Sequence, residues 1–156
     1  LGGARYVWGI RFLDQDEVSA LIDAVDPHYA ALVGTAAYTG ARFGELAGLH
    51  VSRLDLLRGT LTVAQQLSEV NGEISIRAPK TAASRRQIAL PRQLGETLAE
   101  HLTEHPPVDG YVFTSPGGAP LRRNNFRSRV FLPAVRPRWA NRCDSTTSAT
   151  ATSQPS

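Results

Sequence analysis

The sequence predicts an α+β fold, mostly helical, with a small three-stranded antiparallel sheet and a disordered C-terminal tail. Three observations predict it. Apolar residues recur at helical spacing from residue 14 to residue 49 and again from 91 to 131. Between residues 60 and 90 the period changes to two and is broken by turn residues. From Cys143 to Ser156 there is no Leu, Ile, Val or aromatic side chain, so this stretch has nothing to bury.

In chain order, residues 1–13 read as a linker remnant. Asp14 is a helix cap, and Glu17 stands three residues on, where its carboxylate reaches back to the cap's N–H. Val18, Leu21, Ile22 and Val25 then share one helical face, and Pro27 ends that helix and opens the next. The stretch from His28 to Thr39 is apolar nearly all round and predicts a buried helix, with Tyr38 in the core and Gly40 just past its end. Ala41 to Leu49 resumes helical spacing, with Leu46 and Leu49 inward. Thr60–Val63, Ile74–Ile76 and Gln87–Leu90 are the three strands of the sheet, with Asn71-Gly72 a hairpin turn and Thr81 to Ser84 a polar turn. Leu94, Leu98 and Leu102 mark a helix after Pro91. Tyr111-Val112-Phe113 is a short strand and Ser115-Pro116-Gly117-Gly118 a turn. Asn124 or Asn125 caps a final helix that Pro133 and Pro137 end.

The chain has 156 residues, enough for one core, with 17 basic and 14 acidic side chains. Their distribution is uneven: residues 121–142 hold seven arginines and no acid, while everything before them is net acidic. Such a block suits a polyanion, nucleic acid being the commonest, although a solvated basic tail fits the charge equally well. The single Cys143 excludes an internal disulfide and a multi-cysteine zinc site. No stretch approaches the ~20 apolar residues of a membrane span, and the start has no apolar signal core. These features predict a cytoplasmic protein with no membrane contact; no cofactor, metal or small-molecule substrate is expected.

Two short segments carry chemistry. In Thr39-Gly40-Ala41-Arg42-Phe43-Gly44-Glu45-Leu46 a glycine-bounded turn puts an arginine at the start of a helix, where its planar fork can grip a phosphate and Glu45 can orient it. On spacing alone, a surface arginine paired with Glu45 is the simpler account. Lys80, the only lysine against sixteen arginines, stands in Pro79-Lys80-Thr81 at the mouth of a hairpin that ends Ile88-Ala89-Leu90-Pro91. An ammonium there can donate a proton to a leaving oxygen, or simply keep the hairpin soluble. His101 and His105 have the i,i+4 spacing of metal ligands, but no third ligand is evident and a solvated helix face explains them better.

Taken in order, these segments resemble the catalytic domain of tyrosine recombinases and phage integrases. Thr39 to Leu46 resembles the family's first arginine box, Leu13-Asp14-Gln15-Asp16-Glu17-Val18 the start of its catalytic domain, and the hairpin with Lys80 its catalytic-lysine hairpin. Tyr111 to Leu121, with Phe126, is similar to the segment before the family's second box. The resemblance spans about residues 13–135. It implies a partial integrase-like catalytic domain over 14–135, followed by a divergent tail over 136–156. It also implies a chemistry. In this family a tyrosine attacks a DNA phosphodiester to give a 3′-phosphotyrosine, arginines and a histidine brace the phosphate, and the hairpin lysine protonates the departing 5′ oxygen without a metal. Arg42 would be the first arginine and Lys80 the general acid. Arg85, Arg86, Arg122, Arg123 and Arg127 are candidates for contacts with the DNA backbone.

The pattern breaks near Arg136. The family's His-x-x-Arg box and its nucleophilic tyrosine have no counterpart: no His follows His105 and no Tyr follows Tyr111. His50-Val51-Ser52-Arg53 spells the box, but it falls where the family has a structural helix-to-strand connection. Tyr29 and Tyr111 read as packing residues, Tyr6 belongs to the N-terminal arm, and Trp139 has no preceding box. The expectation is a truncated or frameshifted prophage remnant, catalytically inactive alone, with Arg42 and Lys80 vestigial and residual DNA binding at most. The alternatives are a regulatory partner of an intact recombinase and a decayed product without function.

Overall fold

The computed structural model describes residues 14–78 and 85–137. Among these residues the fold is mostly helical with a small three-stranded antiparallel sheet, as the sequence predicts, and no helix is long and apolar enough to cross a membrane. The residues before Asp14, the Thr81–Ser84 turn and the serine- and threonine-rich tail lie outside the described residues.

Helix α1 (Gln15–Ala24) starts at the predicted capping box: the Asp14 side chain accepts from the Glu17 N–H at 2.8 Å and the Glu17 carboxylate accepts from the Asp14 N–H at 3.1 Å. Its apolar stripe of Val18 and Leu21 is buried against α2 (Pro27–Thr39). Pro27 occupies the first turn of α2, where its missing N–H has no partner to lose, and the Asp26 side chain accepts from the His28 N–H instead. Helix α2 is buried from Ala31 to Ala37, and Thr35 meets its polar obligation there by donating to the Ala31 carbonyl at 2.7 Å. Gly40 closes the helix in the left-handed conformation, with φ 68°. Tyr38 departs from expectation. It is half exposed, because the last turn of α2 runs out of the core.

Helix α3 (Phe43–Ala47) lies directly on a strand. A Cβ at Gly44 would come within 2.8 Å of the Leu67 carbonyl oxygen, and one at Gly48 within 2.9 Å of the Leu67 nitrogen. The two glycines, four apart and therefore on one helix face, let backbone meet backbone. A 3-10 turn (Val51–Arg53) capped by His50 then leads into the strands. His50-Val51-Ser52-Arg53 is thus the helix-to-strand connection that its position implied.

The strands form two ladders. β1 (Leu54–Asp55), β2 (Thr60–Val63) and β5 (Arg86–Ala89) make the three-stranded sheet in the order β1-β2-β5, with Leu61 opposite Ile88. The predicted strand at Ile74 to Ile76 belongs to a separate hairpin, β3 (Gln66–Val70) with β4 (Glu73–Arg77), and the third place in the sheet goes to β1. The reason is local. Asn71 and Gly72, both at positive φ (52° and 79°), form a two-residue turn that pairs β4 with its immediate predecessor in sequence.

Helix α4 (Arg92–Glu104) packs on α2 through buried Leu94 and Leu98. Tyr111-Val112-Phe113 forms isolated bridges rather than the predicted strand: Tyr111 bridges to His50 and Val108, and the Val112 N–H donates to the Leu49 carbonyl. The last helix begins two or three residues earlier than predicted. Arg122 is its cap without a side-chain hydrogen bond, so neither Asn124 nor Asn125 caps it. α5 (Arg123–Phe126) passes through a π-helical turn (Arg127–Phe131) and continues helical over 132–137, past Pro133. An α-helical ladder would drive the proline ring into the carbonyl four residues back; the π turn just before it shifts the ladder, with the Leu132 N–H bonding to the Arg127 carbonyl. Phe126 anchors this helix, its ring 5.4 Å from those of both Tyr29 and Phe43. Tyr29 is the packing residue the sequence suggested.

The contact of α3 with β3 yields a test. Gly48→Ala should destabilise the chain by about 1–3 kcal/mol, the usual cost of overpacking, measured by urea unfolding. A neutral substitution would mean that α3 and β3 are not in backbone contact.

Candidate nucleic-acid interface

The turn after α2 is tied down before it reaches Arg42. The Thr39 hydroxyl donates to the Thr35 carbonyl at 2.6 Å and accepts from the Ala41 N–H at 3.2 Å. Arg42 is then the cap of α3, in extended conformation, and its N–H donates to the Glu45 carboxylate at 2.8 Å. Glu45 therefore orients the backbone of Arg42, not its guanidinium. Its two oxygens take a two-pronged grip from Arg86 of β5, each N–O distance 2.9 Å. This corrects the simplest reading of the Arg42/Glu45 spacing, in which the two side chains pair with each other.

The electrostatics follow. Burial pushes the Glu45 carboxyl up, but the hydrogen bonds from Arg86 and from the Arg42 N–H, with the two positive charges, hold it below its ordinary value. The Glu45 hydrogen bond pushes the Arg86 guanidinium up against the opposing pull of burial. With its charge matched, Glu45 offers little repulsion to a second anion nearby.

Beside this pair opens a cleft of ≈ 890 Å³, lined among others by Arg42, Phe43, Ser68, Glu69, Arg123 and Asn124. Its walls are the start of α3, the β3–β4 hairpin and the start of α5. Arg42 and Arg123 are both exposed there, and no ion pair among the described residues engages either side chain. The carboxylate that lines the cleft, Glu69, is matched as Glu45 is beside it. Glu69 accepts from Arg122 at 2.6 Å, and the same nitrogen donates to the Gly72 carbonyl at 3.0 Å. The predicted backbone-contacting arginines therefore divide. Arg123 joins Arg42; Arg86 and Arg122 are held by carboxylates on either side of the cleft; Arg85 and Arg127 are exposed and do not line it. Lys80 lies outside the described residues, in the connection from β4 to β5.

Sequence reasoning missed Glu45–Arg86 and Arg122–Glu69, which span 41 and 53 positions and leave no local pattern. The structure also corrects the solvated reading of His101 and His105. His101 is buried and donates to the Val112 carbonyl, and His105 is half-buried beside His28. Among the described residues no group of three or more His, Cys, Asp or Glu side chains could hold a metal ion.

A mostly helical fold with a small antiparallel sheet and an arginine at the rim of a cleft agrees with the catalytic-domain fold that the resemblance implied. The sequence profile described as the phage integrase family matches residues 11–132, and the chain belongs to that family. Over 102 residues it is 31% identical to the prophage phiRv2 integrases of Mycobacterium tuberculosis strains CDC 1551 / Oshkosh and ATCC 25618 / H37Rv; the match covers 65% of this chain and 27% of theirs. Among solved structures, the Tn1549 transposon integrase in complex with a circular intermediate DNA superposes with TM-score 0.64 at 18% identity, covering 86% of this chain and 53% of that one. XerA recombinase superposes with TM-score 0.59 at 25% identity, covering 78% of this chain and 40% of that one.

The Glu45 geometry fixes a pH dependence. A carboxylate held below its ordinary value contributes stability above that value and loses it as pH falls through the folded-state value. Glu45→Gln should therefore cost about 1–2 kcal/mol at neutral pH, allowing for the partly exposed Arg86. The gap to the native chain should narrow at an acid pH below the ordinary carboxylate range. Equal losses in urea unfolding at both pH values would contradict the ion pair.

Proposed function

We propose that this chain is the phosphate-holding front part of a tyrosine-recombinase catalytic domain, able to bind DNA and unable alone to cut it. The observation that carries the reading is the cleft in which Arg42 and Arg123 stand exposed while Glu45 and Glu69 are each matched by another arginine. A guanidinium fork on a rigid helix start suits a phosphodiester, and the matched carboxylates remove the repulsion that would oppose one. The Tn1549 integrase was solved with DNA, which supports a DNA ligand for the shared fold. In the reaction of the intact family, Arg42 would brace the scissile phosphate and Lys80 would protonate the departing oxygen. Arg85 and Arg127 add backbone contacts outside the cleft, and Arg86 and Arg122 act mainly by holding the acids.

Cutting needs an attacking phenol. Tyr29 packs in the core and Tyr111 packs against His50, and no tyrosine follows Tyr111 in the sequence. The chain spans 27% of the length of the prophage integrases it matches. Recombination, with its attachment sites and partner subunits, is therefore proposed for the intact family and not for this chain by itself.

Duplex DNA should bind at low salt, and affinity should fall steeply as salt rises, because phosphate contacts release counterions. Arg42→Ala should weaken binding to unrelated sequences alike and reduce the slope of log K against log salt by about 1. Fluorescence anisotropy across a salt series checks both; binding indifferent to salt or to Arg42 would contradict the phosphate role. In a second experiment, nicked suicide DNA incubated with the chain should trap no covalent adduct. An adduct on any of the four tyrosines, found by mass spectrometry, would show that the chain carries its own nucleophile.

A further inference from the structure

Three imidazoles meet where the start of α2, the end of α4 and the segment 112–114 come together. His28 sits in the first turn of α2, His101 in the last turn of α4, and His105 is the C-cap of α4. Their ring centroids are 4.4 Å apart for His28 and His105, 5.1 Å for His101 and His105, and 6.2 Å for His28 and His101.

The hydrogen bonds fix which nitrogens carry protons. His28 Nε2 is 2.7 Å from the Thr114 carbonyl oxygen and His101 Nε2 is 3.0 Å from that of Val112. A carbonyl only accepts, so both rings are protonated on Nε2. A neutral His28 then has a bare Nδ1, and its 3.3 Å contact with His105 Nδ1 requires His105 to donate. With all three rings neutral, these contacts are met by His28 and His101 protonated on Nε2 and His105 on Nδ1, and His28 and His101 fasten the 112–114 segment to two helices.

Added protons work against this arrangement. On His105 a charge keeps the Nδ1–H pointed at His28 and suits a helix C-terminus. A further proton finds no good place. On His28 it sets a charge at a helix N-terminus beside another imidazolium, and on His101 it sets one in the core beside the Phe113 ring. The acidic groups facing the cluster are Glu104 on α4 and Asp26 on α2; Asp26 already accepts from the His28 backbone N–H, and the neutral Tyr29 ring abuts His28. Val112, Phe113 and Thr114 bring no titratable side chain.

We propose that this cluster is an acid-sensitive latch: neutral, it clamps residues 112–114 onto α2 and α4, and on multiple protonation it releases the segment that leads into Arg122 and Arg123 at the cleft. The latch is independent of what the cleft binds. The direction at the buried member agrees. Burial lowers the His101 value, the Val112 carbonyl partly offsets that, His105 and His28 lower it further, and Glu104 raises it. A histidine held below its ordinary 6.5 stabilises the fold above that value and loses its contribution as pH falls through it.

The test is amide hydrogen exchange of the whole chain, corrected for intrinsic rates, between about pH 7.5 and about pH 5.5. Protection at Val112, Phe113 and Thr114 should fall about tenfold or more in the native chain, the equivalent of one pKa unit of coupling. His105→Asn, which keeps a donor toward His28 but cannot charge, should flatten that fall, and His50→Asn, outside the cluster, should not. No fall in the native chain, or an undiminished fall in His105→Asn, would overturn the latch. Should the variant fail to fold, nitrogen-15 NMR of the native imidazoles decides. His105 protonated on Nδ1, with His28 and His101 on Nε2, supports the proposal; His105 protonated on Nε2 refutes it.

Discussion

Glu45 joins the start of α3 to a strand 41 positions further along the sequence. One of its oxygens accepts from the Arg42 N–H and so starts α3, and both grip Arg86, so the helix is tied to the third strand of the sheet. Gly44 and Gly48, on the same short helix, let it rest on the backbone of β3. Arg42 consequently starts from a fixed backbone. Its backbone is fixed from the helix, the turn before it is fixed by Thr39, and its side chain is left for the cleft. Fixing the backbone removes part of the ordering that an arriving anion would otherwise have to impose, while the guanidinium itself stays exposed.

The matching of charges repeats on the opposite wall. Arg122 takes Glu69 and the turn carbonyl of Gly72, which fastens the β3–β4 hairpin to the start of α5. Each carboxylate at the cleft thus has its own arginine, leaving Arg42 and Arg123 as its exposed cations. Arginine count alone would have given all of them the same role. Geometry separates those that hold the walls from those that face the space between.

What the sequence made legible was local. The Asp14–Glu17 box, Pro27 at a helix start, Gly40 past a helix end and the Asn71-Gly72 turn all rest on groups within four residues of one another, and each is where spacing put it. Pairings across the chain were not legible. The Asn71-Gly72 turn was found, but β4 took its neighbour β3 as partner and left the sheet to β1, β2 and β5. Pro133 read as a stop because nothing in the pattern announced the π turn that accommodates it. His101 and His105 read as a wet helix face because their covers, His28 and the Val112 and Thr114 carbonyls, come from elsewhere in the chain. At the cleft, the glycine-bounded turn before Arg42 was legible from local residue types, whereas Glu45–Arg86 and Arg122–Glu69 required the fold.

The central claim is a division of labour among arginines, and side-chain NMR tests it most directly. In a titration of the chain with a short DNA duplex at low salt, the Nε–Hε signals of Arg42 and Arg123 are predicted to shift, while those of Arg86 and Arg122, held by carboxylates, stay nearly still. Shifts at Arg86 and Arg122 with Arg42 unmoved would contradict it.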